Sequence, residues 1–280
     1  MKCVLVTGAR GFLGAHCLPL LLERGYEVHP VSSQRVATTN AVRWHQADLL
    51  QSREAHRVSS EVRPSHLLHL AWETTPAKYW TSPTNVQWLE ASLELLRAFY
   101  ETGGNRVVSA GTCAEYDWQY GFCREHITPL QPRSLYGICE VALSQVIESW
   151  AVEVGLSAAW ARVFFLYGPG SHPSRFPGPV ISALLRGLPT ECSHGRQVRD
   201  YLYVTDAAQA LTSLLDSDAR GPVNVGSGQP LAIREMVEGI TKQTGDREHV
   251  RWGACRPPPT IRRSSRRTQR GCETKSGGNP

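Results

Sequence analysis

The 280-residue chain predicts an α/β fold, a doubly wound parallel sheet followed by a small, incomplete C-terminal substrate lobe. Three observations carry that expectation. Short apolar runs alternate with longer stretches of helical period over residues 1–110. Several of these runs have continuously apolar centres, such as Val4-Leu5-Val6, Leu67-Leu68 and Val107-Val108, which suits strands covered on both faces. A glycine-rich turn holding Gly8, Gly11 and Gly14 joins the first run to the first helical stretch.

Taken in order, residues 2–8 read as a strand and 12–26 as a helix whose apolar residues include Phe12, Leu13, Leu18, Leu21 and Leu22. Residues 27–33 and 41–49 read as the second and third strands, 52–62 as a helix, and 65–72 as a buried strand. A long amphipathic helix follows over 82–103, then a strand over 105–112. Tyr136 opens a helix ending at Gly155, and 157–168 forms one further strand. Residues 168–179 hold four prolines, so the regular alternation stops there. Helices are expected at 179–189, 204–217 and 232–245, with a strand over 221–228. These elements divide the chain into a dinucleotide-binding domain over 1–167, onto which 204–226 packs back, and a lobe of 168–203 with 227–252. Residues 253–280 contain Ile261 as their one large aliphatic and are expected to be a disordered basic tail.

Composition excludes several function classes. With 41% hydrophobic and 20% charged residues the chain is of ordinary globular type. It has no run of the roughly 18 apolar residues that a membrane span needs, and the short apolar N-terminus is not a signal peptide, so a cytoplasmic location is expected. The net charge of +5 comes from the tail: residues 255–280 carry six Arg and one Lys against Glu273, leaving the remainder at −1. Nucleic acid is therefore not an expected partner. The eight cysteines form no CxxC pair and no metal-ligand spacing, so no metal is expected.

The glycine turn permits a tight bend and close backbone approach to a pyrophosphate, which the free N–H groups and dipole of the following helix attract. In its context (the turn over 7–14, Asp48, residues 69–72, Asn85, residues 109–116 and Leu135-Tyr136-Gly137), the chain resembles the extended short-chain dehydrogenase/reductases. More narrowly it is similar to the NAD-dependent epimerase/dehydratase family acting on nucleotide sugars. Residues 162–170, 195–211 and 224–228 fall in that family's order, so the resemblance spans residues 1 to about 252.

The resemblance implies that Gly8, Arg10, Gly11, Phe12, Leu13 and Gly14 hold the cofactor's pyrophosphate region. Asp48 and Leu49 would lie against adenine, and Leu70, Ala71, Trp72, Asn85 and Ala110 along the cofactor. Tyr136 falls at the catalytic tyrosine and Thr112 at the catalytic Ser/Thr position. Tyr136 would exchange a proton with the sugar while hydride moves to or from nicotinamide. Thr74, Thr75, Thr112, Phe165 and Arg199 would face the substrate, Arg199 its diphosphate. A homodimer through the helices at 83–101 and 133–154 is also implied.

The cofactor is expected to be NAD or NADP. A carboxylate after the second strand would bind a ribose 2′-hydroxyl; Ser32, Ser33 and Arg35 stand there instead and favour the 2′-phosphate of NADP.

The chain also departs from the family. The family pattern YxxxK has Glu140 in the lysine's place, so a group that lowers a phenol's pKa is replaced by one that raises it. Lys78, in a different loop, is the sole lysine between residues 3 and 241. Phe165 stands where many members have asparagine, and the segment after Ala254 reads as an altered frame or truncation. The Asp-Glu pair that family dehydratases place after the threonine is absent from residues 111–116, so dehydration is not favoured. The sequence thus points to a nucleotide-sugar epimerase or 4-ketoreductase weakened by Glu140. The alternative is an inactive or weak paralogue that binds nucleotide sugar or dinucleotide.

Overall fold

The computed structural model describes residues 2–37 and 42–254. The tail from residue 255 on, and with it the expected disorder, lies outside the described residues. Seven parallel strands form the main sheet: β1 (Cys3–Thr7), β2 (Glu27–Ser32), β3 (His45–Gln46), β4 (His66–His69), β5 (Arg106–Thr112), β6 (Ser157–Val163) and β10 (Gly221–Val225). Their spatial order is β10-β6-β5-β4-β1-β2-β3, a Rossmann-type α/β fold as the sequence predicts. The chain winds outward from β1 to β3, then restarts on the other side with β4, so the order reverses between β1 and β4. Register pairs Val4 with both Val28 and His66 across that reversal.

Helices cover both faces. One side holds α1 (Phe12–Glu23) against α6 (Val204–Asp216), whose Ala207, Ala208 and Leu211 pack on Cys17, Leu21 and Val6. The other holds α2 (Glu54–Val62), α3 (Thr84–Glu101) and α4 (Leu135–Val154), burying Leu95, Phe99, Leu143 and Ile147 against Leu5, Leu67 and Trp160. At roughly 25 cal/mol per Å² of apolar surface, each fully buried Leu or Phe contributes about 2–3 kcal/mol. Ser134 starts α4 by accepting the Gly137 N–H at 3.1 Å, and Gly155 ends it in the left-handed conformation at φ 71°. Among the described residues no helix is long and apolar enough to cross a membrane.

The structure differs from the sequence expectation in three places. The stretch 157–168, expected as one strand, breaks at Phe164, whose N–H donates to Val225 O at 3.0 Å. Beyond it β7 (Phe165–Tyr167) leaves for a second sheet with β9 (Val198–Tyr203) and β11 (Pro230–Ala232), in the order β11-β9-β7. The charged Arg199 and Asp200 interrupt the apolar pattern of β9, which hides the strand in the sequence. The third strand shrinks from the expected 41–49 to His45–Gln46, paired only with Val31 and Ser32. A small satellite core, Val180, Leu184, Cys192 and Val237, joins α5 (Gly178–Leu184), β8 (Thr190–Cys192), α7 (Ile233–Thr244) and β12 (Val250–Trp252).

Two buried histidines tie distant segments together. Cys3, Glu27 and His29 bring three potential metal-ligand atoms within 4.8 Å of one another, a meeting made by the β1–β2 register and invisible to sequence spacing. Both nitrogens of His29 are engaged, by Glu27 at 3.0 Å and His45 at 2.9 Å. His69, fully buried, bridges Thr7 Oγ1 at 2.7 Å and Ser92 Oγ at 2.9 Å, tying β1 and β4 to α3. Burial drives its pKa down from 6.5 to about 4. A depressed histidine is neutral in the folded protein, so its contribution is whole above pH 6.5 and is lost as pH falls toward 4. The loss approaches about 3 kcal/mol. Urea unfolding between pH 7 and pH 4 should therefore show a shallower acid loss in His69→Gln than in the native chain; equal slopes would refute the assignment.

Candidate active site

The C-terminal ends of the parallel strands open into one cavity of about 880 Å³. This is where an open α/β sheet presents its loops to a ligand, beside the reversal of strand order.

Gly8 leaves β1 in the left-handed conformation at φ 66°. A Cβ on Gly8 would lie 2.5 Å from Leu70 O, at the end of β4, and one on Gly14 would strike Gly8 O. The turn therefore admits only glycine at these two places. Gly11 N–H donates to Gly8 O at 2.9 Å, and α1 then begins with neither a side-chain cap nor an acid in its first turn. Its first N–H groups and dipole are left for an anion.

Around this turn the cavity wall takes in Arg10, Phe12, Leu13, Ser32, Ser33, Asp48, Leu49, Leu70, Ala71, Trp72 and Ala110, residues that the resemblance implies for a cofactor. It also takes in Thr74, Thr112, Phe165 and Arg199, which the resemblance implies would face a substrate. Arg35, Thr75 and Asn85 are not part of the lining. Arg35 is exposed beyond β2. Thr75 N–H donates to the Glu73 carboxylate at 2.8 Å. Asn85 is buried beneath the wall, accepting from Trp72 Nε1 at 2.8 Å and donating to Tyr79 O and Ser82 O, so it holds the loop that carries Trp72.

Thr112, Tyr136 and Glu140 meet on one wall. Thr112 and Glu140 both bear on the Tyr136 phenol, Thr112 easing its ionisation and Glu140 opposing it. Tyr136 and Glu140 are one helical turn apart on α4, which puts both on the same face. Edge-on contacts from Tyr79, Trp80 and Trp72, at centroid distances of 4.9, 5.9 and 6.2 Å, fix the Tyr136 ring. Burial, then Glu140, hold the phenol well above the ordinary range of a tyrosine. Burial, then Glu115, push the Glu140 carboxyl well above the usual carboxylate range. Glu140 is 1% exposed, and its Oε2 has no hydrogen-bond partner. An orphaned buried oxygen on a residue of the cavity wall fits a ligand hydroxyl, such as a ribose hydroxyl of a dinucleotide. The turn and this oxygen together fit the cofactor that the sequence implies.

Sequence reading missed the support beneath Thr112. Glu115 is fully buried, accepting from Arg162 Nε at 2.6 Å, Trp160 Nε1 at 2.9 Å and Thr112 N–H at 2.8 Å. Burial raises the Glu115 carboxyl while Arg162 pulls it down. Arg162 also donates to Tyr116 OH at 3.2 Å, and that hydroxyl donates to Asn224 Oδ1 at 2.7 Å. These residues come from β6, β10 and the turn after β5, which are distant in sequence; the signal available was a charged residue, Arg162, inside a run that reads as a buried strand. Also missed were Trp118, Tyr201 and Phe176, which with Phe165 make this part of the cavity wall aromatic. The Arg199 guanidinium lies 5.5 Å from the Trp118 ring centre and 5.4 Å from that of Phe165. Arg175 donates to Thr74 O at 3.0 Å, closing the cavity between segments 101 residues apart.

Residues 4–226 match the family model described as the NAD dependent epimerase/dehydratase family. The chain is 26% identical over 267 residues to UDP-glucuronic acid decarboxylase 1 of Danio rerio, covering 90% of this chain but 63% of that protein. Over 267 residues it is 27% identical to UDP-glucose 4-epimerase of Corynebacterium glutamicum, covering 86% of this chain and 80% of the epimerase. Among solved structures, the Thermus thermophilus UDP-glucose 4-epimerase in complex with NAD superposes with a TM-score of 0.78 at 28% identity, covering 89% of this chain and 86% of that one. The match covers the glycine turn, the Thr112–Tyr136 pair and the strand that returns at β10, and on it the chain belongs to the NAD-dependent epimerase/dehydratase family.

Proposed function

We propose that this chain is an NAD(P)-dependent nucleotide-sugar oxidoreductase, working as an epimerase or 4-ketoreductase on a hexose that bears a keto or hydroxyl group. The observation that carries this reading is the meeting of Thr112, Tyr136 and Glu140 on one wall of the cavity that also takes in the Gly8–Gly14 turn. The dinucleotide, when bound, supplies the hydride acceptor or donor.

The protein's residues do the rest. The Gly8–Gly14 turn and the start of α1 hold the pyrophosphate, and Glu140 Oε2 accepts from a ribose hydroxyl. Tyr136 passes a proton to or from the reacting sugar oxygen, to which Thr112 also donates. Arg199 binds the nucleotide diphosphate, and the aromatic wall excludes water. Glu140 weakens the step because it opposes ionisation of the phenol. Titrating the purified protein with NAD and with UDP-hexoses, then assaying turnover, tests the reading; uptake of no dinucleotide would remove it. Exposed Tyr100 on α3 and Val146 and Val152 on α4 support a homodimer through those helices.

The finer cofactor proposal is NADP. Ser32 and Ser33 line the cavity where β2 ends, no acid follows them through Ala37, and Arg10 reaches the same rim, donating to Gln34 at 2.6 Å. NADP should bind at least as tightly as NAD; a tenfold preference for NAD would reverse the choice.

A second reading, a weak or inactive binder of the same ligands, is favoured by the tightly held proton on Tyr136. Binding without turnover, unrelieved by a lysine at position 140, would establish it.

A further inference from the structure

We propose that Glu140 is a neutral acid when the site is empty or holds the reduced cofactor, and that it ionises when the oxidised cofactor binds, so cofactor redox state and one proton are linked through this residue. The inference rests on the dinucleotide reading above and adds a charge-coupling role for Glu140 to it.

The argument starts from geometry. Glu140 is 1% exposed on the wall of the cavity, with Oε2 unpartnered. A lone carboxylate in such a place would be strongly disfavoured, so the proton stays unless a positive charge arrives. The groups facing it offer none. On α4 these are Tyr136, one helical turn away, and Cys139. From the turn after β5 comes Glu115, whose charge opposes ionisation. From the loop after β4, Tyr79 meets the Tyr136 ring. Arg162 on β6 lies behind Glu115 and is committed to it. Among the described residues, no salt bridge involves Glu140.

An oxidised nicotinamide ring carries one positive charge and its reduced form none. A unit charge about 4 Å from a carboxyl, at an effective dielectric constant near 20, lowers its proton affinity by about a thousandfold. The cofactor site thus acquires its cation from the ligand, where the family pattern supplies it from a lysine. The proton leaves as Glu140–COOH becomes Glu140–COO⁻ and is taken up by solvent buffer; no other bond changes.

The sign follows directly. If binding releases a proton, affinity for NAD⁺ rises with pH, up to tenfold per unit, and levels off above the pKa of Glu140 in the empty site. Affinity for NADH stays flat.

The experiment is calorimetric titration of the full chain with NAD⁺ and with NADH in two buffers of different ionisation enthalpy, near pH 7. NAD⁺ is used because its ribose lacks the titratable 2′-phosphate of NADP. Close to one proton released per NAD⁺ bound, and near none per NADH, is the expected result. Glu140→Gln should bind NAD⁺ with almost no release, and Tyr136→Phe should keep the release. NAD⁺ binding without proton release by the native chain overturns the inference while leaving the dinucleotide reading intact. Release undiminished in Glu140→Gln overturns it too. Binding of neither cofactor overturns the dinucleotide reading and this inference with it.

Discussion

Glu140→Lys is expected to raise turnover about a hundredfold. The reason is the phenol of Tyr136, which is buried and whose ionisation Glu140 opposes. A carboxyl there either contributes nothing to ionisation of the phenol or, once charged, opposes it; an ammonium favours it. A change of two pKa units is worth about 2.7 kcal/mol, or about a hundredfold in the phenolate population at neutral pH. The lysine ammonium also donates, so it can still hold a ribose hydroxyl. The check is kcat against pH for both proteins: the variant's activity should rise at a lower pH than the native chain's. Unfolding midpoints measured alongside separate a chemical effect from a damaged fold. Activity equal to or below that of the native chain would show that Glu140 is not what restrains the site.

Glu115→Ala should cost about 3–5 kcal/mol of stability, the penalty for removing one partner from a buried ion pair. Arg162 is 3% exposed and would keep its charge, left with Tyr116 OH and Glu125 O as acceptors. Trp160 Nε1 and Thr112 N–H would lose their acceptor as well. Glu115→Gln should cost less, since an amide oxygen still accepts from both. Urea unfolding reads the effect as a lower midpoint at unchanged slope. A loss under about 1 kcal/mol would mean that water or rearrangement replaces the carboxylate. Because the Glu115 carboxylate accepts from the backbone of Thr112, the alanine variant should also lose turnover where it remains folded.

How legible the site was in the sequence differs from part to part. The Gly8–Gly14 turn could be read because its chemistry is local: a left-handed residue, two close backbone approaches and a helix start within seven residues. Tyr136 and Glu140 could be paired because a helix fixes what lies one turn away. Asn85 was read as part of the cofactor wall, yet it lies buried beneath it, fixing the loop of Trp72. Arg35 was read as a phosphate ligand from its place after β2, yet it lies exposed outside the lining. A loop residue's position along the chain says little about where its side chain can reach.

What the amino-acid order determined alone is the alternation of strands and helices, the glycine turn, and the replacement of a lysine by Glu140. Each depends on neighbours within a turn or a strand of one another. What only the tertiary structure decided is the environment of those groups. The Glu115–Arg162 pair under Thr112, the rings of Tyr79, Trp72 and Trp80 around Tyr136, and the departure of β7 to a second sheet all join distant segments. The proton affinity of Glu140 belongs to this second class, since it depends on which charges and how much water surround the carboxyl, and folding alone assembles them.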